Sequence, residues 1–383
     1  MSKKILFIII ISSISCSIFD NKEEELNNTP IELPEYVCYA LHQDYSKGSF
    51  YITIIDMEKD SIVCNHRVSI KEWIEDFCLG PDNMLYLPVS EKSLEGGSGE
   101  VVYIFDPSSG KREGEIKTSK SPTDIFRISD NEAFIFHYFR YYGDTASVNT
   151  VIDLQEKNVR KKILANIGGT GYNEIFFSPD SEIWIYVAKE ANWGEWYEHN
   201  FIWRFYPDVD TLGERIEFED EYNGYKFQVF SLKFVSSNKI YAVVSAVKDE
   251  HGYFTYLVVY DFPSCRINKV VQIEHIVAGG AYILVLPNNK VYISRYLSPG
   301  IPGSGVEDNY IMVVDATTDE IIKMVKVCYG PFMMAYSKEL NKVYIASAYQ
   351  HKFAVLNPET DEVIKIINGK NVEISSMRVI TNK

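Results

Sequence analysis

The sequence predicts an all-β protein, a seven-bladed β-propeller with four-stranded antiparallel blades whose ring is closed by the C-terminal strand. Three observations support this prediction. Strand-forming aromatic residues are abundant, with 27 Tyr, 21 Phe and 5 Trp among 383 residues. A strand-and-turn pattern recurs with a period of about 50 residues, which is typical of propeller blades. The last copy of this pattern is followed by one strand more than it needs.

Length and composition limit the alternatives. The chain is 46 % apolar and 24 % charged, so it can bury a large core, and global disorder is excluded. Its length alone would suggest two or three domains or one repetitive architecture. The formal net charge is −15 and no Lys/Arg-rich stripe occurs, so a nucleic-acid partner is not expected.

The recurring pattern is an apolar strand ending in Asp or a substitute, then a polar turn and a second strand. It occurs seven times, at Asp56, Asp106, Asp153, Tyr206, Asp261, Asp315 and Asn357. Each period has room for four strands, as a propeller blade requires. A closed ring is expected because stacked blades bury both faces only when the ring is complete.

The chain ends predict how the ring closes. The first copy lacks an opening strand, and residues 372–380 form a surplus strand after the seventh. Blade 1 is therefore predicted to contain both termini. The predicted blades are 35–68 with 370–383, 69–118, 119–166, 167–220, 221–274, 275–327 and 328–368.

The N-terminus has the layout of a secretory signal peptide over residues 1–15, with two lysines, an apolar run over 5–11 and small residues before Cys16. Residues 13–16 (SISC) resemble the lipobox of bacterial lipoproteins, which implies lipidation of Cys16; ordinary cleavage is the alternative. Residues 16–34 are expected to be an acidic tether. The run at 22–25 (KEEE) resembles an acidic signal for surface export, and a periplasm-facing orientation is the alternative. We therefore expect an outer-membrane lipoprotein held to the membrane by its lipid anchor.

The last two copies carry a family resemblance. Residues 341–347 (NKVYIAS) and 353–364 (FAVLNPETDEVI) resemble the YVTN-type propeller repeat, and residues 290–294 with 312–321 are similar. The match is clear over about 275–368 and degenerate earlier. This WD40-like family implies a seven-bladed propeller in exported proteins whose activities differ widely, so it does not give a function.

One end of the ring is predicted to be elaborated, because loops of varying length recur at 91–99, 138–149, 190–200, 248–256 and 298–309. Three of them contain clustered aromatic residues, which can stack on sugar rings or anchor a protein. The alternative is that they fold back and cap the core. The candidate ligand-binding residues are Arg140, Tyr141, Tyr142, Trp193, Trp196, Tyr197 and Tyr253. Residues expected at the channel entrance are Tyr172, Asn173 and Phe332.

Histidine and cysteine spacing gives no metal or catalytic motif, and no metal or cofactor is expected. His42, His137, His199, His251 and His351 fall at or near the elaborated end. A metal site or acid/base pair could assemble there across blades, although histidine is ordinary in surface loops. Besides Cys16, five cysteines remain, all within apolar strand-like runs, where structural filler is expected.

These features predict a non-catalytic, monomeric, lipid-anchored module that binds a protein partner or a glycan. Cleavage before Cys16 would leave 36 basic and 53 acidic residues, a net charge of −17, which suits neutral sugars or protein surfaces better than polyanions. The alternative is a propeller enzyme, either a lactonase-like or a metal-assisted hydrolase, with its site at the channel mouth. A scaffold for outer-membrane protein assembly is a third possibility.

Overall fold

The computed structural model describes residues 30–44, 49–68, 74, 76–90, 99–137, 147–165, 173–190, 197–247, 253–273, 281–294, 309–348, 350–369 and 373–381. For a few residues at strand ends, and for all of 373–381, only the backbone is described. Within these ranges the regular structure is entirely β-strand.

The strands, in chain order, are β1 (Tyr36–Asp44), β2 (Ser49–Asp56), β3 (Ser61–Val68), β4 (Cys78–Leu79), β5 (Leu85–Val89), β6 (Val101–Asp106), β7 (Lys111–Lys117), β8 (Pro122–Arg127), β9 (Glu132–His137), β10 (Ser147–Asp153), β11 (Asn158–Ala165), β12 (Asn173–Phe177), β13 (Ile183–Glu190), β14 (Tyr197–Tyr206), β15 (Thr211–Glu217), β16 (Glu221–Tyr222), β17 (Tyr225–Ser236), β18 (Lys239–Val247), β19 (Tyr253–Asp261), β20 (Arg266–Ile273), β21 (Ile283–Val285), β22 (Lys290–Ile293), β23 (Tyr310–Asp315), β24 (Glu320–Lys326), β25 (Pro331–Ser337), β26 (Lys342–Ser347), β27 (Lys352–Asn357), β28 (Glu362–Asn368) and β29 (Glu373–Thr381).

These strands form seven antiparallel sheets, which confirms the predicted fold. Blade 1 has the order β29-β1-β2-β3, so its first strand comes from the C-terminus and closes the ring as expected. The other blades are β4–β7, β8–β11, β12–β15, β17–β20, β21–β24 and β25–β28. We call the strands of each blade a, b, c and d from the channel outward. Blade 5 carries one addition, the two-residue strand β16 paired with the start of β17.

The core consists of apolar layers between the blades. The described residues form seven hydrophobic clusters, and each one lies at the seam between two consecutive blades. Because side chains alternate along a strand, one strand serves two seams. Val37 and Tyr39 of β1 pack toward blade 2, whereas Cys38 and Ala40 pack toward blade 7. This double burial explains why the inner strands are apolar at nearly every position.

The recurring Asp of the sequence pattern opens the turn between strands c and d. Asp56 Oδ1 accepts hydrogen bonds from the backbone N–H groups of Glu58 and Lys59, both at 3.0 Å. Burial alone would raise the pKa of Asp56, but these bonds and the Lys59 ammonium outweigh it and lower that pKa. The fifth residue of every such turn has a positive φ, a conformation that Asp, Asn and Gly tolerate best. These residues are Asp60, Gly110, Lys157, Asp210, Cys265, Asp319 and Asp361.

The five described cysteines are free, and all except the half-buried Cys64 are buried. Burial raises the pKa of the Cys64 thiol to about 11 and that of Cys328 to about 12. Such thiols are protonated and unreactive at neutral pH, which agrees with the expected filler role. The expectation that all five lie in strand runs was wrong for two of them. Cys265 occupies the fifth turn position with a φ of 48°, and Cys328 lies in the connection between β24 and β25.

A polar contact, which we call the seam latch, joins some blades at the c–d turn. A Lys and a Tyr from strand b of one blade bind the fifth-position Asp of the next blade's turn. At the seam of blades 6 and 7, Lys290 Nζ lies 2.9 Å from Asp361 Oδ1 and Tyr292 Oη donates to the same oxygen at 2.6 Å. Lys239 and Tyr241 contact Asp319 in the same way between blades 5 and 6.

Candidate functional site

The two ends of the propeller differ in their connections. Every c–d connection between the strands given above spans four residues, as in 57–60 and 358–361, and we call this end the turn end. The b–c connections leave the opposite end, the loop end, and range from four residues (45–48) to sixteen (294–309). Variable loops on a rigid ring are where binding residues usually lie.

The sequence-predicted site residues fall mostly at the loop end, and their side chains are largely outside the described part of the structure. Residues outside the described ranges are Cys16, Arg140, Tyr141, Tyr142, Tyr172, Trp193 and Trp196. The backbone places Asn173, Tyr197 and Tyr253 as the first residues of β12, β14 and β19. Phe332, on the innermost strand of blade 7, is partly buried.

The strands of blade 5 extend farther at the loop end than the repeat pattern predicted. Its β17 contains 12 residues, and β18 and β19 contain 9 each. The extension ends in a tight hairpin in which Asn223 and Gly224 have φ values of 53° and 79°. An Asn-Gly pair favours this type of two-residue turn because both positions need a positive φ. The hairpin pairs Tyr222 with Tyr225, so the two side chains lie on the same face.

A group of aromatic side chains, two exposed and two partly buried, lies on one face of this extension. It consists of Tyr222, Tyr225, Phe254 and Tyr256, and we call it the aromatic shelf. The Tyr225 ring lies 6.1 Å from the Phe254 ring and 6.2 Å from the Tyr256 ring, in edge-to-face orientation. Tyr222 remains 43 % exposed and Phe254 38 % exposed. Burial, with a smaller contribution from Tyr225, raises the pKa of Tyr256, so its hydroxyl is protonated and can donate.

The shelf adjoins blade 4 through one buried amide. Asn200 of β14 donates from Nδ2 to the Phe227 carbonyl of β17 at 3.0 Å. Its Oδ1 accepts from the Tyr186 hydroxyl at 2.6 Å. These bonds fix β17 against β14, the strand that follows the Trp-rich connection of residues 191–196. β14 of blade 4 and the shelf of blade 5 therefore flank the same seam.

Two histidines from different blades meet at the loop end. His42 of blade 1 and His351 of blade 7 are buried, and their ring centroids are 4.5 Å apart. Thr53 Oγ1 lies 3.2 Å from His42 Nδ1 and 3.0 Å from His351 Nε2, and it donates to Asn65 Oδ1 at 2.6 Å. A hydroxyl has only one proton, so both imidazoles donate to Thr53. The two histidines thus come together across blades, in a buried seam, and whether they act as a metal site or an acid/base pair stays a prediction.

His137 of blade 3 occupies the equivalent position on its own strand b. Its Nδ1 donates to the Lys120 carbonyl at 2.8 Å, and its Nε2 lies 2.9 Å from the Thr150 hydroxyl. Burial lowers the pKa of His137 to about 4, so the ring is neutral at physiological pH. No group of three or more His, Cys, Asp or Glu among the described residues is arranged to hold a metal ion.

Acidic side chains bind the inner strands of neighbouring blades around the channel. Asp76 of blade 2 accepts a hydrogen bond from the Ile125 N–H of blade 3, and Glu174 of blade 4 accepts one from the Leu232 N–H of blade 5. Glu174 also forms an ion pair with Lys233. The inner strands expose backbone N–H groups to the channel, so these carboxylates satisfy donors that have no strand partner.

The fold and this site define a class, a closed seven-bladed β-propeller with an elaborated aromatic end. No protein family matches the sequence, and no curated protein matches it. Solved structures are similar in fold. A hydrazine synthase of Kuenenia stuttgartiensis has a TM-score of 0.58 at 13 % identity, covering 87 % of this chain and 98 % of that chain.

Two further structures extend the comparison. The dihydro-haem d1 dehydrogenase NirN, solved in complex with DHE, has a TM-score of 0.54 at 10 % identity and covers 93 % of this chain and 78 % of that one. A protein of unknown function from Desulfotomaculum acetoxidans has a TM-score of 0.54 at 12 % identity and covers 88 % and 98 %. At these identities the similarity shows the fold alone.

The described ranges contain no helix that is both long and apolar enough to cross a membrane.

Proposed function

We propose that this protein is an exported, lipid-anchored propeller that binds a neutral glycan or a protein partner at its loop end. The observation that carries the proposal is the aromatic shelf, in which Tyr222 and Phe254 stay exposed on an extension of three hydrogen-bonded strands. Aromatic rings that are held in place lose little entropy on binding, and they suit both sugar rings and apolar protein surfaces. The loops that carry Tyr141, Trp193 and Trp196 would complete the site.

The charge of the chain supports this choice of ligand. With cleavage before Cys16 the net charge is −17, which disfavours polyanionic ligands. The exposed Gln272 pairs with Tyr256 on the shelf face and is suited to hydrogen-bond sugar hydroxyls or the polar rim of a partner.

Binding is tested with the double variant Tyr222→Ala/Phe254→Ala against an array of neutral oligosaccharides and in pull-downs from outer-membrane extracts. We expect affinity to fall at least tenfold while the free energy of unfolding changes by about 1 kcal/mol or less. Phe177→Ala is the matched control, because Phe177 is 47 % exposed at the turn end. Equal binding by the double variant and the wild type would exclude the shelf as the site. The triple variant Tyr141→Ala/Trp193→Ala/Trp196→Ala tests the loops in the same assays.

Lipid anchoring and cellular localisation belong to the same proposal. Residues 13–16 resemble a lipobox, and the following acidic run at 22–25 fits surface export. Metabolic labelling with a fatty-acid probe should modify the wild type and not the Cys16→Ser variant. Protease accessibility on intact cells then distinguishes surface exposure from a periplasm-facing orientation. A YVTN-type relationship of the last two blades also remains part of this proposal.

A propeller enzyme is the second candidate, because His42 and His351 meet across a seam at the loop end. Lactonase-like or metal-assisted hydrolysis would need such groups near the channel mouth. Metal analysis of the purified protein and a panel of lactones and esters test this candidate. Turnover that is lost in His351→Asn but kept in His66→Asn would favour it, and an inert wild type would count against it.

A further inference from the structure

A small cavity opens at the turn end, between blades 6 and 7, on the side opposite the aromatic shelf. Its volume is about 170 Å³, which is large enough for a small ligand group rather than a single water. Its walls come from the a–b turns of both blades and the c–d turn of blade 7. The residues that line it include Leu286, Pro287, Asn288, Tyr336, Pro358 and Glu359.

The residue at one point of the latched seams differs between the seam of blades 7 and 1 and the seam of blades 6 and 7. At the seam of blades 7 and 1, the residue two positions before the latch lysine Lys342 is Leu340, which packs against the apolar core. At the seam of blades 6 and 7 the residue two positions before Lys290 is Asn288. Asn288 donates from Nδ2 to the Pro358 carbonyl at 3.0 Å and leaves space that a leucine would fill.

The polar groups of the cavity are mainly acceptors. Asn288 Oδ1 is buried and accepts no hydrogen bond from the described residues. The Glu359 carboxylate forms no ion pair with any residue that the structure describes. The Tyr336 hydroxyl donates a hydrogen bond to Asn341 Oδ1 at 3.0 Å, so toward a ligand it can act only as an acceptor. Because these acceptors have no donor among the described residues, a ligand with several N–H groups would be favoured here.

The nearby lysine does not supply these donors. Lys290 Nζ is bound to the Pro358 and Glu359 carbonyls at 3.0 and 3.1 Å and to both Asp361 oxygens. Three ammonium protons are thereby used, and the Lys290 charge is balanced by Asp361. The negative charge of Glu359 is not balanced by a described residue, so it can pair with a cationic ligand.

We propose that this cavity binds a guanidinium group. A guanidinium has five N–H donors and a flat face that stacks on a tyrosine ring and on apolar walls. Here it would pair with the exposed Glu359 carboxylate and lie against Tyr336 and the two prolines, and a small shift of the Asn288 side chain would bring Oδ1 within reach of its N–H groups. The group would come either from an arginine side chain of a partner protein or from a free guanidino compound.

The test uses the full mature protein with two probes, methylguanidinium and a Gly-Arg-Gly tripeptide with blocked ends. Ligand-observed NMR titration should give saturable binding, and crystal soaks should place the guanidinium in the cavity. A peptide that binds at least tenfold more tightly than methylguanidinium identifies a protein side chain as the source. Equal affinities identify a free guanidino compound. Both results support the guanidinium site.

Variants and a neutral probe make the proposal falsifiable. Glu359→Gln should weaken binding at least fivefold, and Asn288→Leu should abolish it by filling the cavity. Glu58→Gln is the matched control, because Glu58 holds the same turn position in blade 1 and should have no effect. A tripeptide with citrulline in place of arginine should not bind. No saturable binding by the wild type, ordered water alone in the soaked cavity, or equal binding of the citrulline peptide would each overturn the proposal. The Tyr222→Ala/Phe254→Ala variant should bind the probes normally, so this result is independent of the loop end.

Discussion

Tyr344 of blade 7 donates a hydrogen bond to Asp60 of blade 1, with 2.5 Å between Oη and Oδ1, across the seam where the two ends of the chain meet. Lys342 Nζ binds the same carboxylate at 2.9 and 2.8 Å. The closing seam therefore has the same latch as the seams of blades 5 with 6 and 6 with 7. Ring closure is strengthened by a side-chain contact in addition to the pairing of β29 with β1.

The latch predicts a stability loss for Asp60→Asn. Asparagine tolerates the φ of 48° at this position, so the change removes the charge without adding backbone strain. Lys342 would then lose its ion pair in a site where the Asp60 side chain is only 11 % exposed. We expect the free energy of unfolding to fall by about 1–3 kcal/mol in urea denaturation. Asp130→Asn, at a fully exposed turn, is the control, and equal losses in the two variants would contradict the latch.

Alkaline pH should weaken the latched seams. Burial first, and the neighbouring Asp second, raise the pKa values of Tyr241, Tyr292 and Tyr344 above the ordinary value of 10. A raised folded-state pKa means that stability is complete below pH 10 and is lost as pH rises above it, because only the unfolded state ionises.

The triple variant Tyr241→Phe/Tyr292→Phe/Tyr344→Phe separates the ionisation of these three tyrosines from other causes of instability at alkaline pH. It should be less stable than the wild type at pH 8, because three hydrogen bonds are missing. Above pH 10 its free energy of unfolding should fall less steeply with pH than that of the wild type. The difference between the two slopes should be up to about 1 kcal/mol per pH unit for each tyrosine replaced. Urea denaturation from pH 8 to 11 measures both slopes, and parallel curves would disprove the role of these tyrosines.

The sequence predicted the turns, blades and closure because each depends on local chemistry repeated seven times. In five of the seven repeats an Asp or Asn at the strand end accepts hydrogen bonds from the turn backbone, so its period marks the blades directly; these residues are Asp56, Asp106, Asp153, Asp315 and Asn357. The latch was not predictable, because Tyr344 and Asp60 are 284 residues apart and meet only when the ring closes. The same holds for His42 and His351.

The candidate site was predicted only in part. Phe254 and Tyr256 fall in the segment 248–256 that the sequence marked as an aromatic loop, although the structure places both in β19. Tyr222 and Tyr225 were missed because they belong to a d–a connection, although the Asn223-Gly224 pair between them is a recognisable hairpin signal.

Mild acid should destabilise the protein through His137. Burial lowers its pKa to about 4 from an ordinary value near 6.5, so the ring is neutral in the fold. This stability is present above pH 6.5 and is lost as pH falls from 6.5 toward 4, amounting to about 3 kcal/mol. His137→Asn should be less stable at pH 7.5 but should lose less between pH 7.5 and 4.5. His66 also has a pKa lowered by burial, so a smaller slope will remain. An unchanged slope in His137→Asn, measured by urea denaturation, would refute this assignment.

Removal of β29 should open the ring. This strand pairs with β1 from Tyr36 to Gln43, and without it blade 1 has no inner strand and the seam core around Cys38 and Ala40 becomes accessible to water. A protein ending at residue 371 should lose its cooperative thermal transition and bind a hydrophobic dye, because a propeller buries its faces only as a closed ring. A protein ending at residue 381 is the control and should unfold like the full chain. Adding a peptide of residues 370–383 should restore the transition, since the missing contacts all come from one strand. A truncated protein that unfolds cooperatively at the wild-type temperature would show that closure by β29 does not stabilise the ring.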